Sequence, residues 1–345
     1  MKILYGVQGT GNGHITRARA MAQALDRHQF EVDYLFSGRP ESDYFDLACF
    51  KHRRYKRGLT FVICDGQIKY LKSAMHNNLW QFHRDVKNLD LSPYDAVLCD
   101  FEPITARACR RQNKPAIGIG HQYVFNHHVP QQKPNWITRQ VYRRFAPVTD
   151  GIGMHWHHFH APILPPMVEP VTTTGARAAD FVLVYLPFEN QSHILRLLAR
   201  IDHQEFVLYT PQAVISPAPH VRVKPLSRAG FQADLLRCSG VIANAGFELT
   251  SEALNLGKRI LVRPLDRQSE QISNAMALEQ LHYGHVTQHM NQASIEAFLI
   301  SPLRVQVTFP DVADHITRWL KAGMPSRHND WYQALWHQVR VDRLG

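Results

Sequence analysis

Cysteine is scarce in this chain: five residues, Cys49, Cys64, Cys99, Cys109 and Cys238, with no CxxC pair among them. An odd, scattered set argues against a disulfide framework and against a thiolate zinc site, and it fits a reducing, cytoplasmic setting. Nowhere do about eighteen apolar residues follow one another, the length that a membrane-spanning helix needs. The opening MKILYGVQG has too short an apolar run for a secretory signal. The chain is therefore expected to be soluble or to rest on a membrane surface. Short-period repeats and low-complexity tracts are missing as well. Acidic residues are in deficit, 29 against 39 Lys and Arg, which leaves a formal charge of +10. A balance of that sign favours partners bearing negative charge: nucleic acid, anionic lipid or phosphorylated substrates.

The basic residues cluster in KHRRYKR (Lys51 to Arg57) and in NWITRQVYRRF (Asn135 to Phe145). In the second run Trp136, Ile137, Val141 and Phe145 interleave with arginines, the pattern of an interfacial helix and equally of an ordinary amphipathic surface helix. No helix-turn-helix, zinc-finger or RNA-recognition signature supports a nucleic-acid reading.

What is present is globular composition, 45% hydrophobic and 20% charged over 345 residues, enough for two domains with their own cores. Strand-like and helix-like runs alternate twice. KILYGV, EVDYLFSG, DAVLCDFE and AIGIGH form the first series, with Ile15, Ala18, Ala22 and Leu25 on one face of a helix between the first two. FVLVYLPF, EFVLYTP, HVRVKPL, GVIANAG and KRILVRPL form the second. A proline-bearing connection, Ala161 to Ala176, separates the two series. The expected fold is α/β: two Rossmann-like, doubly wound domains, 1–165 and 166–310, facing a central cleft. A tail, 311–345, looks helical, carries Trp319, Trp331 and Trp336, and is expected to pack back on the first domain.

Ligand loops of such sheets lie just after the strands. The first is GVQGTGNGHITRA, Gly6 to Ala18. It begins GxGxxG at Gly9 and Gly11 but meets His14 where the third glycine belongs, and the next strand ends YLFSG with no ribose-binding acid. A nicotinamide cofactor is thus disfavoured. Gly13 is followed by His14 and Ile15 rather than Lys-Ser or Lys-Thr, so a P-loop is disfavoured too. What remains is a glycine turn at Gly11 and Gly13 that admits a ligand and delivers an imidazole to a helix start. His14 serves there either as a general base or as a cap on its own helix.

The second is SGVIANAGFELTSEALNLGKRILVRPLDRQSEQISNA, Ser239 to Ala275. A strand, GVIANAG, runs into a helix starting near Gly246, with Gly257 as its terminator. The amides of Gly246, Phe247 and Glu248 form an anion site suited to a pyrophosphate. Glu252 lies about 9 Å further along the axis at about 1.5 Å per residue, the reach from a diphosphate to its ribose. Glu270 and Gln271 sit on the loop after the next strand, where Gln271 would hydrogen-bond a sugar.

These two segments resemble the GT-B glycosyltransferases, and within them the branch containing the murein-precursor N-acetylglucosaminyltransferase and the UDP-glucuronosyltransferase-like enzymes. The resemblance covers most of the chain. It implies that His14 is the catalytic base, Glu252 the ribose-binding glutamate and Gln271 the donor-sugar glutamine. Where many members have His-Gly-Gly, this chain has Asn244-Ala245-Gly246, so a histidine contact to the phosphate is replaced by backbone amides. The implied reaction is inverting transfer of a sugar from a UDP-sugar, UDP-N-acetylglucosamine being one candidate, to an acceptor hydroxyl. It needs no cofactor and no metal.

CDFEP, Cys99 to Pro103, places Asp100 and Glu102 after a strand, as acceptor contacts, as an alternative base, or with Asp100 as a helix cap. His121 and Gln122 follow another strand and would line the acceptor side. The run HWHHFH sets His155 and His157 on one face of a strand by alternation, without an obvious third metal ligand. An anionic or lipid-linked acceptor at the inner face of the membrane suits the basic segments. Two further readings stand beside this one: a UDP-sugar 2-epimerase of the same fold, and a nucleic-acid-binding protein.

Overall fold

The computed structural model describes residues 1–60, 63–64, 67–68, 73, 75, 77–133, 140, 144–170 and 178–344. The first half builds β1 (Lys2–Gln8), β2 (Glu31–Ser37), β3 (His52–Lys56), a small hairpin of β4 (Ile63–Cys64) and β5 (Gln67–Ile68), then β6 (Ala96–Asp100), β7 (Ile117–Ile119) and β8 (Asp150–Ile152). The second half builds β9 (Phe181–Tyr185), β10 (Glu205–Thr210), β11 (Val221–Pro225), β12 (Gly240–Asn244), β13 (Arg259–Arg263) and β14 (His285–Val286). They form two parallel six-stranded sheets, ordered β3-β2-β1-β6-β7-β8 and β11-β10-β9-β12-β13-β14. Each order reverses once, between β1 and β6 and between β9 and β12. Such a switch point opens a crevice at the carboxyl ends of the strands.

The central strands are covered on both faces, which is why they read as continuous apolar runs. Ile3, Leu4, Tyr5 and Val7 of β1 and Val182, Leu183 and Val184 of β9 are fully enclosed. Helix α1 (Asn12–Arg27) buries Ile15, Ala18, Ala22 and Leu25, the face that the spacing predicts. Helices α2 (Leu79–Asn88) and α3 (Pro103–Arg111) follow in the first half. The second half carries α4 (Gln191–Leu198), α5 (Arg228–Arg237), α6 (Phe247–Asn255), α7 (Ser269–Leu281) and α8 (Gln292–Ile300). Gly257 takes φ +61° just past the end of α6, the left-handed position that favours glycine.

The basic run KHRRYKR contains edge strand β3, where charged side chains protect an open edge. Lys51, Arg54 and Lys56 there find Asp26, Asp33 and Asp85. The tail is not wholly helical: α9 (Val312–Lys321) and α10 (Asn329–Trp336) are followed by β16 (Arg340–Arg343), antiparallel to β15 (Val305–Thr308). All four residues of β16 are exposed, so no apolar alternation betrays it. HWHHFH is not a strand. Phe159 and His160 turn through φ 46° and 58°, and His155 is fully enclosed. Among the described residues no group of three His, Cys, Asp or Glu side chains is placed to hold a metal.

The tail lies against the first half. Arg27 meets Asp311 at 2.8 Å, His28 meets Asp314 at 2.7 Å, and Trp336 Nε1 donates to the Ile163 carbonyl at 2.8 Å. Phe145 is buried and stacks on Phe101 at 5.1 Å, whereas Trp136, Ile137 and Val141 lie outside the described residues, as does 171–176 of the connection. Among the described residues no helix is long and apolar enough to cross a membrane.

Candidate active site

The glycine turn after β1 hands His14 to the first turn of α1, and β6 ends in Asp100 beside it. His14 Nδ1 stands 2.7 Å from Asp100 Oδ1. An ionised carboxylate only accepts, so a hydrogen bond to Asp100 puts the proton on Nδ1 and leaves Nε2 as the basic nitrogen; Arg17 Nη2, 3.1 Å from the same Nδ1, is a donor and then makes no hydrogen bond to it. Arg17, one helical turn after His14, donates from Nε to Asp100 Oδ2 at 2.8 Å and from Nη2 to Oδ1 at 2.5 Å. Its Nη1 reaches across to the Glu248 carboxylate on α6. Arg17 and Asp100 are almost completely enclosed, at 1% and 0% exposure. Burial alone would raise the Asp100 carboxyl, but Arg17 and His14 hold it below its usual range. Burial would likewise lower the Arg17 guanidinium, and Asp100 and Glu248 more than reverse that.

Facing this cluster is the amino terminus of α6. Gly246 is its N-cap, with its own amide committed to the Asn244 carbonyl at 2.7 Å. Helix geometry leaves the amides of Phe247 and Glu248 without an intrahelical acceptor. A cavity of about 300 Å³ lies between the halves, lined by Gly11, Gly13, His14, Gln122, Asn244, Gly246, Phe247, Glu248, Glu270 and Gln271. Gln122 Nε2 donates to Glu270 at 3.1 Å, so those two residues meet across the cleft. Burial raises the Glu270 carboxyl, with His14 opposing. Asn244 Nδ2 donates to Glu189 at 3.0 Å, and Gln271 Oε1 accepts from the Leu265 amide at 2.9 Å.

An adjoining pocket shares Asn12, Gly13, Tyr185, Glu248 and Leu249 with the first and continues to Tyr209, Leu226, Phe231, Gln232 and Glu252. Glu252 is 7% exposed there and accepts from Gln232 Nε2 at 3.1 Å. Burial pushes its carboxyl up to about 7.

A family model described as "Glycosyl transferase family 1" matches residues 1–302. The chain belongs to that family. This glycosyltransferase has no sequence match among curated proteins. Solved structures share its fold at low identity. SnogD from Streptomyces nogalater is 16% identical, with TM-score 0.53 over 98% of this chain and 99% of that one. The glycosyltransferase of kitacinnamycin is 14% identical, with TM-score 0.60 over 98% of each chain. VinC, solved in complex with dTDP, is 13% identical, with TM-score 0.54 over 98% of each. The architecture is that of the GT-B glycosyltransferases.

Two residues of the sequence reading occupy other places in this glycosyltransferase. Glu102, not Asp100, caps a helix: it accepts from the Ile104 and Thr105 amides at 2.9 and 2.6 Å and from Ser37 Oγ at 2.6 Å, with 0% exposure. So engaged, it does not line the cavity described above. Pro103 at the first helical position was the signal, since proline favours that site directly after a cap. His121 does not line the cavity. It stacks on Phe247 at 4.0 Å, with Nδ1 against the Met154 carbonyl at 2.8 Å and Nε2 against Asn274 at 2.6 Å. Burial holds its imidazole down near 4, so it packs the halves together as a neutral ring.

Arg17 was missed by the sequence reading. Its spacing of three from His14 puts both on one helix face, which was a usable sign. Nothing local to Glu248 marks its pairing with a residue 231 positions away.

Proposed function

We propose that this glycosyltransferase moves a sugar, with inversion, from a nucleoside-diphosphate donor to an acceptor hydroxyl. The donor is of the UDP-sugar class, with UDP-N-acetylglucosamine as the first candidate, and the relevant branch is that of the murein-precursor and UDP-glucuronosyltransferase-like enzymes. One observation carries the reading: His14, paired with Asp100, lines the same cavity as the amino terminus of α6. In this mechanism His14 Nε2 takes the acceptor proton as the hydroxyl oxygen attacks the anomeric carbon. Asp100 fixes the tautomer and balances the imidazolium that forms. The bond from the anomeric carbon to the diphosphate oxygen breaks on the opposite face. The Phe247 and Glu248 amides, with the helix partial charge behind them, stabilise the departing diphosphate without a metal. Glu252 accepts from the ribose hydroxyls, and Glu270 and Gln271 stand at the sugar. That VinC was solved in complex with dTDP on the same fold supports a nucleoside diphosphate here.

The acceptor in this reading is anionic or lipid-linked, and the enzyme meets an anionic membrane surface. Leu79 and Trp80 on α2 are 58% and 70% exposed, with Arg84 over the Trp80 ring at 4.9 Å. Arg107, Arg110, Arg111 and Arg144 line a cleft beside them. Apolar tips among arginines suit a headgroup layer.

The test is a thermal-shift titration with UDP, dTDP, GDP and ADP, with and without magnesium, on the wild type and on Glu252→Ala. A site filled to a hundredfold over its dissociation constant adds about 2.7 kcal/mol. UDP should stabilise without magnesium, and Glu252→Ala should abolish the effect. If no nucleotide stabilises the protein, the donor site is wrong. Product analysis with UDP-N-acetylglucosamine then separates transfer from epimerisation.

A further inference from the structure

Arg17 holds two carboxylates from opposite halves of the molecule. Asp100 closes β6 in the first half, and Glu248 sits in the first turn of α6 in the second. Arg17 and Asp100 exclude water almost entirely, and the Glu248 side chain is 16% exposed. Charges this close in so dry a place are weakly screened. Formal charge decides what the chain of four groups does. With His14 neutral, Asp100, Arg17 and Glu248 carry one net negative charge, and a proton arriving on His14 cancels it. Without Glu248, Arg17 would neutralise Asp100, and the same proton would leave an uncompensated positive charge in the cleft.

We propose that Arg17 and Glu248 are positioning residues through which the donor-side helix α6 sets the proton affinity of His14 across the cleft. The proposal deepens the reading of His14 as the base and rests on it. Asp100 Oδ1 stands 2.7 Å from the imidazole Nδ1, and Arg17 Nη2 lies 3.1 Å from the same nitrogen. Arg17 decides how much of the Asp100 charge the imidazole feels, and Glu248 decides how much of Arg17 is left to offset it. Gly13 keeps the path open: a Cβ there would meet Glu248 Oε2 at 2.7 Å and push the carboxylate off Arg17. The other titratable groups around His14 are Glu270, from the first turn of α7 and bonded to Gln122, and His121, neutral through burial. Neither bonds to Arg17, so neither carries the link.

The two residues carry opposite signs, and so must their effects. Removing the Glu248 charge disfavours a proton on His14; removing the Arg17 charge favours it. A change in packing alone has no reason to produce opposite directions at adjacent links of one chain.

The experiment is an NMR titration of histidine-labelled full-length protein, with the His14 signal assigned by its loss in His14→Gln. Glu248→Gln should move the His14 midpoint down by about one pH unit, and Arg17→Met should move it up by a similar amount. Glu248→Asp, which keeps the charge, should restore most of the wild-type value. Should Arg17→Met fail to fold, Gly13→Ala serves in its place, with a downward shift matching Glu248→Gln. Coinciding midpoints in the wild type and Glu248→Gln overturn the proposal, as do shifts of the same sign for Glu248→Gln and Arg17→Met. The readout needs no acceptor, so the two claims fail separately. Midpoints that move as stated while His14→Gln still turns over UDP-N-acetylglucosamine sink the base and leave the link standing. Unmoved midpoints with an inactive His14→Gln do the reverse.

Discussion

Replacing Glu252 by glutamine should stabilise the protein above neutral pH and leave it nearly unchanged at pH 5. Glu252 lies on α6 at 7% exposure, and burial raises its carboxyl to about 7 from an ordinary 4.5. The folded protein therefore holds this proton more tightly than the unfolded chain does. The associated stability is fully present below about pH 4.5 and is lost as the pH rises through about 7. The gap between 4.5 and about 7, at about 1.4 kcal/mol per pH unit, sets a loss of about 3 kcal/mol by pH 9. Glutamine keeps the shape, carries no charge and escapes the loss. Urea denaturation of both proteins at pH 5 and pH 9, free of nucleotide, measures it. We expect Glu252→Gln to be more stable by about 3 kcal/mol at pH 9 and to agree with the wild type within about 1 kcal/mol at pH 5. An equal difference at both pH values, or a less stable variant at pH 9, would refute a charged carboxylate held against burial.

His14→Ala should lower sugar transfer by about 10²- to 10⁴-fold while leaving UDP-induced thermal stabilisation intact; loss of both together would make His14 a binding residue. Trp156 is 1% exposed, and its Nε1 donates to Ser251 Oγ at 2.8 Å, so Trp156→Ala should cost about 3–5 kcal/mol in urea unfolding, and a cost under about 1 kcal/mol would contradict the packing. Glu102→Ala should cost about 1–2 kcal/mol by loss of the cap on α3, with nucleotide affinity unchanged; a variant of wild-type stability that fails to turn over donor would return Glu102 to the active site.

The central strands were legible because they are covered on both faces and so carry unbroken apolar runs. Edge strands other than β11 were not. The lysines and arginines of β3 serve its open edge, β14 spans only His285–Val286, and β16 is exposed along its length. The loop-after-strand rule led to His14 and Gly246, which both line the cavity, because a parallel sheet offers its ligand loops at one end. It placed Asp100 and Glu102 in the right neighbourhood but left their duties open, since both are enclosed and only their partners tell them apart: His14 and Arg17 for Asp100, the Ile104 and Thr105 amides for Glu102. Contacts between the halves, such as Arg17 with Glu248 and His121 with Phe247, left no trace in either local pattern.

The way the tail is threaded limits how this molecule can come apart. The chain passes from the first sheet to the second after β8, returns to the first half at α9 and α10, and goes back once more to pair β16 with β15. Each half thus holds a piece of chain that belongs, in sequence, to the far side of the other. A single cut after Met167 would yield two polypeptides that stay clasped, because α9 and α10 remain seated against α1 and the segment around Ile163. Fragments made separately at that point have the contacts to find one another. The intact protein should melt as one unit, since unseating either half strips the other of part of its surface.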